Sequence, residues 1–190
     1  MNSAKRNKII RIGLDFDGVL AYNPFNMARA PIKWVKAVIL GKKKLSFFVP
    51  KNKWQRKLWV LIHESSVFPA NGTELLKELA NNENIEFHLI TGRFGCLEEN
   101  LLKWLNRYGL GDIFKSININ YKEEQPHIYK GQIIDKLKLD IYIEDNFDIV
   151  EYLNNMNKAK IAWVFNFIDR DKKYSLKFRS LKEALETLVQ

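Results

Sequence analysis

Two aspartates separated by one residue follow an apolar stretch near the start of the sequence. Asp15 and Asp17 lie in LDFDGVL, residues 14–20, and Gly18 comes directly after them. On an extended chain, residues two apart project to the same side. Two carboxylates held that close repel each other unless a cation or a shared proton neutralises them. Because Mg²⁺ prefers oxygen ligands, the pair indicates a site for this ion.

An ordinary turn or a fragment of a calcium loop are the alternatives for the same motif. The calcium interpretation fails because Gly18 follows Asp17 directly. No third acidic ligand and no closing Glu follow at the offsets that a calcium loop requires. The Mg²⁺ site and the simple turn therefore remain, and a second group of acidic residues bears on the choice.

That second group ends the segment IYIEDN. Glu144 and Asp145 are adjacent, and Asp148 lies three residues further on. By itself, such a pair at a strand end is more often a surface turn or a helix cap. Carboxylates at the ends of two strands could nevertheless converge on one metal ion, and the presence of the Asp15 motif favours that interpretation.

The elements that must position these residues alternate along the chain. Short apolar or aromatic runs predict strands at 9–15, 86–91, 140–144 and 161–166, with a weaker fifth near 115–120. Amphipathic stretches between them predict helices, and Ser180 with Glu183 has the spacing of a capping box before the last one. This alternation predicts an α/β fold, with a Rossmann-like, mostly parallel five-stranded sheet covered by helices on both faces. Ligands of such sheets bind at the carboxyl ends of the strands.

The alternation is interrupted between residues 21 and 70. The chain of 190 residues carries a net charge of +9, and this stretch holds ten Lys and Arg against Glu64 alone, so the rest of the chain is neutral. Eight aromatic residues lie among these cations. We expect a small helical cap subdomain at 21–70, inserted after the first strand, and a core domain formed by 1–20 and 71–190. Such a charge asymmetry is typical of proteins with an anionic partner.

Four segments, in order, resemble the motifs of the haloacid dehalogenase (HAD) superfamily, and specifically of its phosphatases. LDFDGVL is similar to the first motif, and LITGR, with Thr91, to the second. Lys130, which opens KGQIIDKLKLDIYIEDN, resembles the third, and Glu144 with Asp145 resembles the acidic fourth. The resemblance extends from about residue 8 to 166, and many members of the superfamily carry a cap between the first and second motifs.

The resemblance implies a role for each matching residue. Asp15 would be the nucleophile that forms an aspartyl phosphate, and Asp17 the general acid and base. Asp15, the backbone carbonyl of Asp17 and Asp145 would bind Mg²⁺, with Glu144 binding it directly or through water. Phosphate would be held by Thr91, by the backbone N–H of Gly92 and by Lys130. Lys130 lies 14 residues before Glu144 and is preferred for this role over three competing lysines, Lys122, Lys136 and Lys138.

Arg93 follows the second motif, and the pattern favours an ordinary solvated side chain over a contact with substrate phosphate. The segments TGRFGCLEENLLKWLNRYG and KGQIIDKLKLDIYIEDN resemble those of deoxyribonucleotidase-type members. The expected substrate is therefore a small phosphorylated molecule, first of all a nucleotide monophosphate. The alternative is a non-enzymatic or weakly active module that binds nucleic acid or anionic lipid through residues 29–57.

One cysteine, no signal-peptide pattern and no long apolar run predict a cytoplasmic protein without a transmembrane segment.

Overall fold

The computed structural model describes residues 8–22, 52, 54–55 and 68–189. The strands of the described residues are β1 (Ile10–Leu14), β2 (Ala21–Tyr22), β3 (Phe68–Pro69), β4 (Ile85–Phe94), β5 (Phe114–Asn120), β6 (Ile141–Glu144), β7 (Lys160–Val164) and β8 (Lys177–Phe178). The α-helices are α1 (Thr73–Leu79), α2 (Glu98–Arg107), α3 (Pro126–Leu137), α4 (Phe147–Met156) and α5 (Leu181–Leu188). Six of the strands form one sheet in the order β5-β4-β1-β6-β7-β8.

The predicted α/β architecture is confirmed, because every strand pair of this sheet is parallel. The sheet has six strands instead of the predicted five. The additional strand is β8, whose two residues are too few to produce a periodic pattern in a sequence. Its segment joins the edge of β7 through hydrogen bonds from the Trp163 N–H to Leu176 O at 2.8 Å and from the Phe165 N–H to Phe178 O at 3.0 Å.

Helices cover both faces of the sheet, as predicted. Ile12 and Leu14 of β1 belong to a buried cluster that also contains apolar side chains of α1, α2 and α5. Tyr142 of β6 and Trp163 of β7 point to the opposite face, into a cluster with α3 and α4. Because side chains alternate along each strand, they pack into two separate cores, one on each face of the sheet. Among the helices described, none is both long and apolar enough to cross a membrane.

The chain turns sharply after β1. Gly18 has a φ of 89°, a conformation that glycine adopts at little cost, and its N–H donates to Ala21 O at 2.8 Å. Next, β2 pairs antiparallel with β3, and Ala70 N donates to Leu20 O at 2.7 Å. The two ends of the segment between Tyr22 and Phe68 are thereby joined close to Asp17. The predicted cap subdomain at 21–70 lies outside the described residues except for these ends and residues 52 and 54–55, so its boundaries stay a prediction.

Candidate active site

The carboxyl ends of three neighbouring strands bring the predicted site residues to one edge of the sheet. Asp15 follows β1, Thr91 lies in β4, and Glu144 ends β6. Leu14 of β1 pairs with Ile143 of β6, and the Asp15 N–H donates to Ile143 O at 3.0 Å. The parallel register therefore sets Asp15 beside the segment that carries Glu144 and Asp145.

Buried charge is concentrated at this edge. Within the part of the chain that the structure describes, the buried acidic side chains are Asp15, Asp17, Glu144 and Asp145, and the buried Lys and Arg side chains are Lys130 and Arg93. All six belong to the sequence motifs or adjoin them. Because burying charge is costly unless the charges compensate one another, this concentration points to a site that performs chemistry.

Three of the carboxylates form a compact cluster. Asp15, Glu144 and Asp145 each present one carboxylate oxygen, and these oxygens all lie within 4.8 Å of one another. Burial, together with the negative charges of Glu144 and Asp17, raises the pKa of Asp15 from 3.8 to about 7, although Lys130 acts in the opposite direction. Burial also raises the pKa of Glu144. The cluster is therefore short of positive charge.

Lys130 is the cation that contacts this cluster. Its Nζ lies 3.0 Å from Asp15 Oδ1 and 2.7 Å from Glu144 Oε2. Burial alone would lower the pKa of Lys130, but the charges of Asp15 and Glu144 outweigh burial and raise it above its ordinary value. The three lysines that competed with Lys130 in the sequence are all exposed: Lys122, Lys136 and Lys138. The geometry thus favours Lys130, and not one of these three, as the lysine of the candidate site.

Local contacts explain how α3 delivers Lys130 to the site. Asn120, at the end of β5, holds the loop before α3 by donating to Glu124 O at 2.7 Å and accepting from the Glu124 N–H at 3.0 Å. Pro126 then begins the helix, against the backbone of Gly92. A Cβ atom at Gly92 would lie 3.2 Å from Pro126 Cβ, so a glycine there allows the first turn of α3 to approach β4 closely. Lys130 follows one turn later.

Two aromatic residues that the sequence analysis missed support the acidic pair. The Tyr142 hydroxyl donates to Glu144 Oε2 at 3.1 Å, and the Trp163 Nε1–H donates to the backbone oxygen of Asp145 at 3.0 Å. The Asn146 N–H donates to Glu144 Oε1 at 3.1 Å. Tyr142 lies two residues before Glu144, so strand alternation could have placed the two on the same face. No local pattern indicates the contact of Trp163.

Asp17 pairs with a different cation, Arg93. Arg93 Nε donates to Asp17 Oδ2 at 2.8 Å, and Arg93 Nη2 donates to Asp17 Oδ1 at 2.7 Å. The interpretation of Arg93 as a solvated residue is wrong, because its exposed fraction is 4%. The available signal was its position two residues after Thr91 on an extended chain, which predicts that both face the same side.

Thr91 and Gly92 lie near the carboxyl end of β4, and Gly92 adjoins the first turn of α3. Thr91 is fully buried, and its Oγ1 accepts a hydrogen bond from the Arg93 N–H at 3.1 Å. An added Cβ at Gly92 would lie 3.9 Å from Lys130 Cε, which puts this glycine next to the lysine stem. Their roles in phosphate binding stay predictions.

The donor set fits a hard divalent cation. If the four buried carboxyl groups are all ionised, the charges of Lys130 and Arg93 leave two negative charges uncompensated. The three clustered groups offer oxygen donors, which Mg²⁺ prefers, and no sulfur or imidazole ligand belongs to the cluster. A divalent cation would balance the charge and relieve the repulsion that raises the pKa of Asp15.

The fold is similar to that of solved HAD-like hydrolases. The structure resembles YfnB of Bacillus subtilis, described as a HAD hydrolase bound to magnesium, with a TM-score of 0.60 and 12% identity over 96% of this chain and 100% of that one. It also resembles a β-phosphoglucomutase of Clostridium difficile, with a TM-score of 0.58 and 19% identity over 96% of this chain and 100% of that one.

A third similar structure is a subfamily IA HAD hydrolase of Geobacter sulfurreducens, with a TM-score of 0.55 and 12% identity over 95% of this chain and 100% of that one. No protein-family model and no curated protein matches the sequence. At these identities, the likeness is one of fold. The chain therefore has the HAD fold, which by itself does not determine its function.

Proposed function

We propose that this protein is a Mg²⁺-dependent phosphatase that hydrolyses a phosphate monoester through an aspartyl-phosphate intermediate. One observation carries the proposal: the buried carboxylate of Asp15 lies 3.0 Å from the buried ammonium of Lys130 and within 4.8 Å of two further carboxylates. This combination presents a nucleophile, a cation for the phosphoryl charge and a ligand set for a metal ion at the carboxyl edge of a parallel sheet.

The residues divide the reaction into two displacements. In the first, a carboxylate oxygen of Asp15 attacks phosphorus, the bond from phosphorus to the ester oxygen breaks, and Asp17, in its protonated form, gives its proton to that oxygen. In the second, the Asp17 carboxylate takes a proton from a water molecule that attacks the same phosphorus, which releases inorganic phosphate and restores both Asp15 and protonated Asp17. Lys130 stabilises the charge on the phosphoryl oxygens in both transition states, and Thr91 and the N–H of Gly92 hold these oxygens.

The Mg²⁺ ligands in this proposal are Asp15, Asp145, the backbone carbonyl of Asp17 and Glu144. When bound, the ion would supply positive charge that reduces repulsion between the Asp15 carboxylate and the phosphate dianion. Glu144 already accepts hydrogen bonds from Lys130, Tyr142 and the Asn146 N–H. Through the first of these hydrogen bonds, Glu144 holds the Lys130 ammonium against Asp15.

The substrate in this proposal is a small phosphorylated molecule, with a nucleotide monophosphate as the first class to test. The basic residues between 21 and 70 would cover the substrate and attract its negative charge. The ends of that segment, β2 and β3, are paired beside the Asp17 turn, which supports a position over the site. A phosphoryl transfer between two positions of one sugar would use the same residues, and a mutase is the related alternative.

Turnover of p-nitrophenyl phosphate tests the proposed function. We expect release of nitrophenol that requires Mg²⁺, stops with excess EDTA, and returns when Mg²⁺ is restored. A panel of phosphorylated metabolites, assayed for inorganic phosphate, would then identify the substrate class. Absence of Mg²⁺-dependent turnover together with strong, salt-sensitive binding of an oligonucleotide or anionic vesicles would contradict the proposal and favour the binding module instead.

The contribution of Asp15 to the stability of the metal-free protein is expected to fall as the pH rises from about 4 to about 7. Because the pKa of Asp15 is raised to about 7 from 3.8, the folded state holds a proton between these values that the unfolded state has lost. The stabilising contribution is therefore complete below about pH 4 and is lost as the pH passes 7. Mg²⁺ bound to the ionised cluster should raise the melting temperature by several degrees at pH 8 and by much less at pH 5.

Thermal unfolding with Mg²⁺ or with EDTA at the two pH values measures this difference. Asp145→Asn removes one oxygen ligand and should reduce the Mg²⁺ effect at pH 8. Asp135→Asn is the matched control because Asp135 lies on the exposed side of α3 and pairs with Lys158. Equal Mg²⁺ effects at both pH values, or an unchanged effect in Asp145→Asn, would argue against the metal site.

A further inference from the structure

Arg93 lies in an irregular part of β4. Thr91 pairs with Ile119 and Phe94 pairs with Asn120, so β4 advances three residues while β5 advances one. Such a bulge re-aims side chains relative to a regular strand. Here it accompanies a buried guanidinium at the carboxyl edge, next to the predicted acid and base.

Contacts on several sides fix the arginine. One edge of its guanidinium makes two parallel hydrogen bonds to Asp17, at 2.8 and 2.7 Å. Its Cζ atom lies 4.4 Å from the centre of the Phe16 ring. Its backbone N–H donates to Thr91 Oγ1. Both partners of the ion pair are nearly buried, with side-chain exposed fractions of 3% for Arg93 and 11% for Asp17.

We propose that Arg93 is a positioning residue. It fixes the carboxyl group of Asp17 in the direction that lets this group give a proton to the ester oxygen and take one from the attacking water. The inference rests on the proposed function and adds a residue to it. A planar guanidinium that meets both carboxylate oxygens determines the direction of the carboxylate, which a point charge does not. Arg93 therefore acts by orienting Asp17 and not by binding the phosphate.

The leaving group distinguishes this role from direct phosphate binding. Expulsion of phenol needs a proton from Asp17 more than expulsion of p-nitrophenol does, because p-nitrophenol is the much stronger acid. The ratio kcat/KM reports the steps up to release of the first product. Loss of a correctly directed Asp17 should therefore lower kcat/KM for phenyl phosphate far more than for p-nitrophenyl phosphate.

The experiment compares the wild type with Arg93→Met and Arg93→Lys on both substrates in saturating Mg²⁺. We expect kcat/KM for phenyl phosphate to fall by about 10²-fold or more in both variants, and that for p-nitrophenyl phosphate by about tenfold or less. Competitive inhibition by inorganic phosphate should be unchanged. Arg107→Met, an exposed arginine at the end of α2, is the matched control and should behave as wild type.

A double-mutant cycle with Asp17→Asn completes the test. If Arg93 acts through Asp17, Arg93→Met should change kcat/KM little further in the Asp17→Asn background. Equal losses for both substrates, weaker inhibition by phosphate and additive effects with Asp17→Asn would overturn the proposal and identify Arg93 as a phosphate ligand. Wild-type-like activity of Arg93→Met would also overturn it. If the wild type itself fails to turn over either substrate, the proposed function falls, and this inference falls with it.

Discussion

Replacing Asp15 with asparagine is expected to abolish phosphatase turnover, with a loss in kcat of at least about 10⁴-fold. The amide oxygen of asparagine is not an effective nucleophile, so no aspartyl phosphate can form. The measurement is the initial rate with p-nitrophenyl phosphate in saturating Mg²⁺. Incorporation of ³²P from a labelled substrate into acid-quenched protein should disappear in parallel.

The same variant should remain folded. Asp15→Asn removes a buried carboxylate that is repelled by Glu144 and Asp17, and Lys130 keeps its contact with Glu144 at 2.7 Å. Without Mg²⁺ at pH 8, its melting temperature should equal or exceed that of the wild type. Asp135→Asn makes the same chemical change at an exposed site and should keep full activity. Substantial turnover by folded Asp15→Asn would show that another group is the nucleophile.

Replacing Lys130 with methionine is expected to damage both activity and stability. Methionine retains much of the apolar stem but leaves Asp15 and Glu144 without their shared cation. Removing one partner of a buried ion pair costs about 3 to 5 kcal/mol of unfolding free energy, or roughly 6 to 20 °C in melting temperature for a chain of this size. Loss of the charge on the phosphoryl group should lower kcat by about 10²- to 10³-fold.

Thermal unfolding and steady-state kinetics separate these two effects when the kinetics are measured well below the lowered melting temperature. Lys136→Met changes an exposed lysine on the same helix and should alter neither quantity. Excess Mg²⁺ should recover part of the lost stability of Lys130→Met, because it supplies positive charge to the same carboxylates. If the folded Lys130→Met variant had the wild-type kcat, Lys130 would have no role in the mechanism.

The main elements of the fold could be predicted because the signals are local. The first predicted strand, 9–15, is found as Ile10–Leu14, and the weak fifth, near 115–120, as Phe114–Asn120. Helix boundaries also carried recognisable signals. Gly109, after α2, has a φ of 64°, and Ser180 accepts a hydrogen bond from the Glu183 N–H at the start of α5. Each of these features depends on residues within a few positions of one another.

The gathering of Asp15, Glu144 and Asp145 could also be anticipated, because carboxyl ends of parallel strands share one edge. Lys130 lies on α3, and only the resemblance to the HAD motifs predicted its place beside them. The partner of Asp17 could not be anticipated. Arg93 lies 76 positions away in the sequence, and its orientation depends on a strand that continues to Phe94 with a bulge, past the end predicted at residue 91. Propensity and periodicity carry no information on such a pairing, which tertiary packing alone creates.

The short antiparallel pair formed by β2 and β3 lies at the edge that carries the candidate active site. Because Ala21 pairs with Pro69 and Tyr22 pairs with Phe68, the core holds the start and the finish of the intervening segment side by side. The entropic cost of closing a loop rises by only about 0.6 kcal/mol for each doubling of its length. The core could thus accept replacements of very different size between Tyr22 and Phe68, and each would begin and end beside the same aspartate. Selectivity could then diversify while the chemical machinery stayed constant.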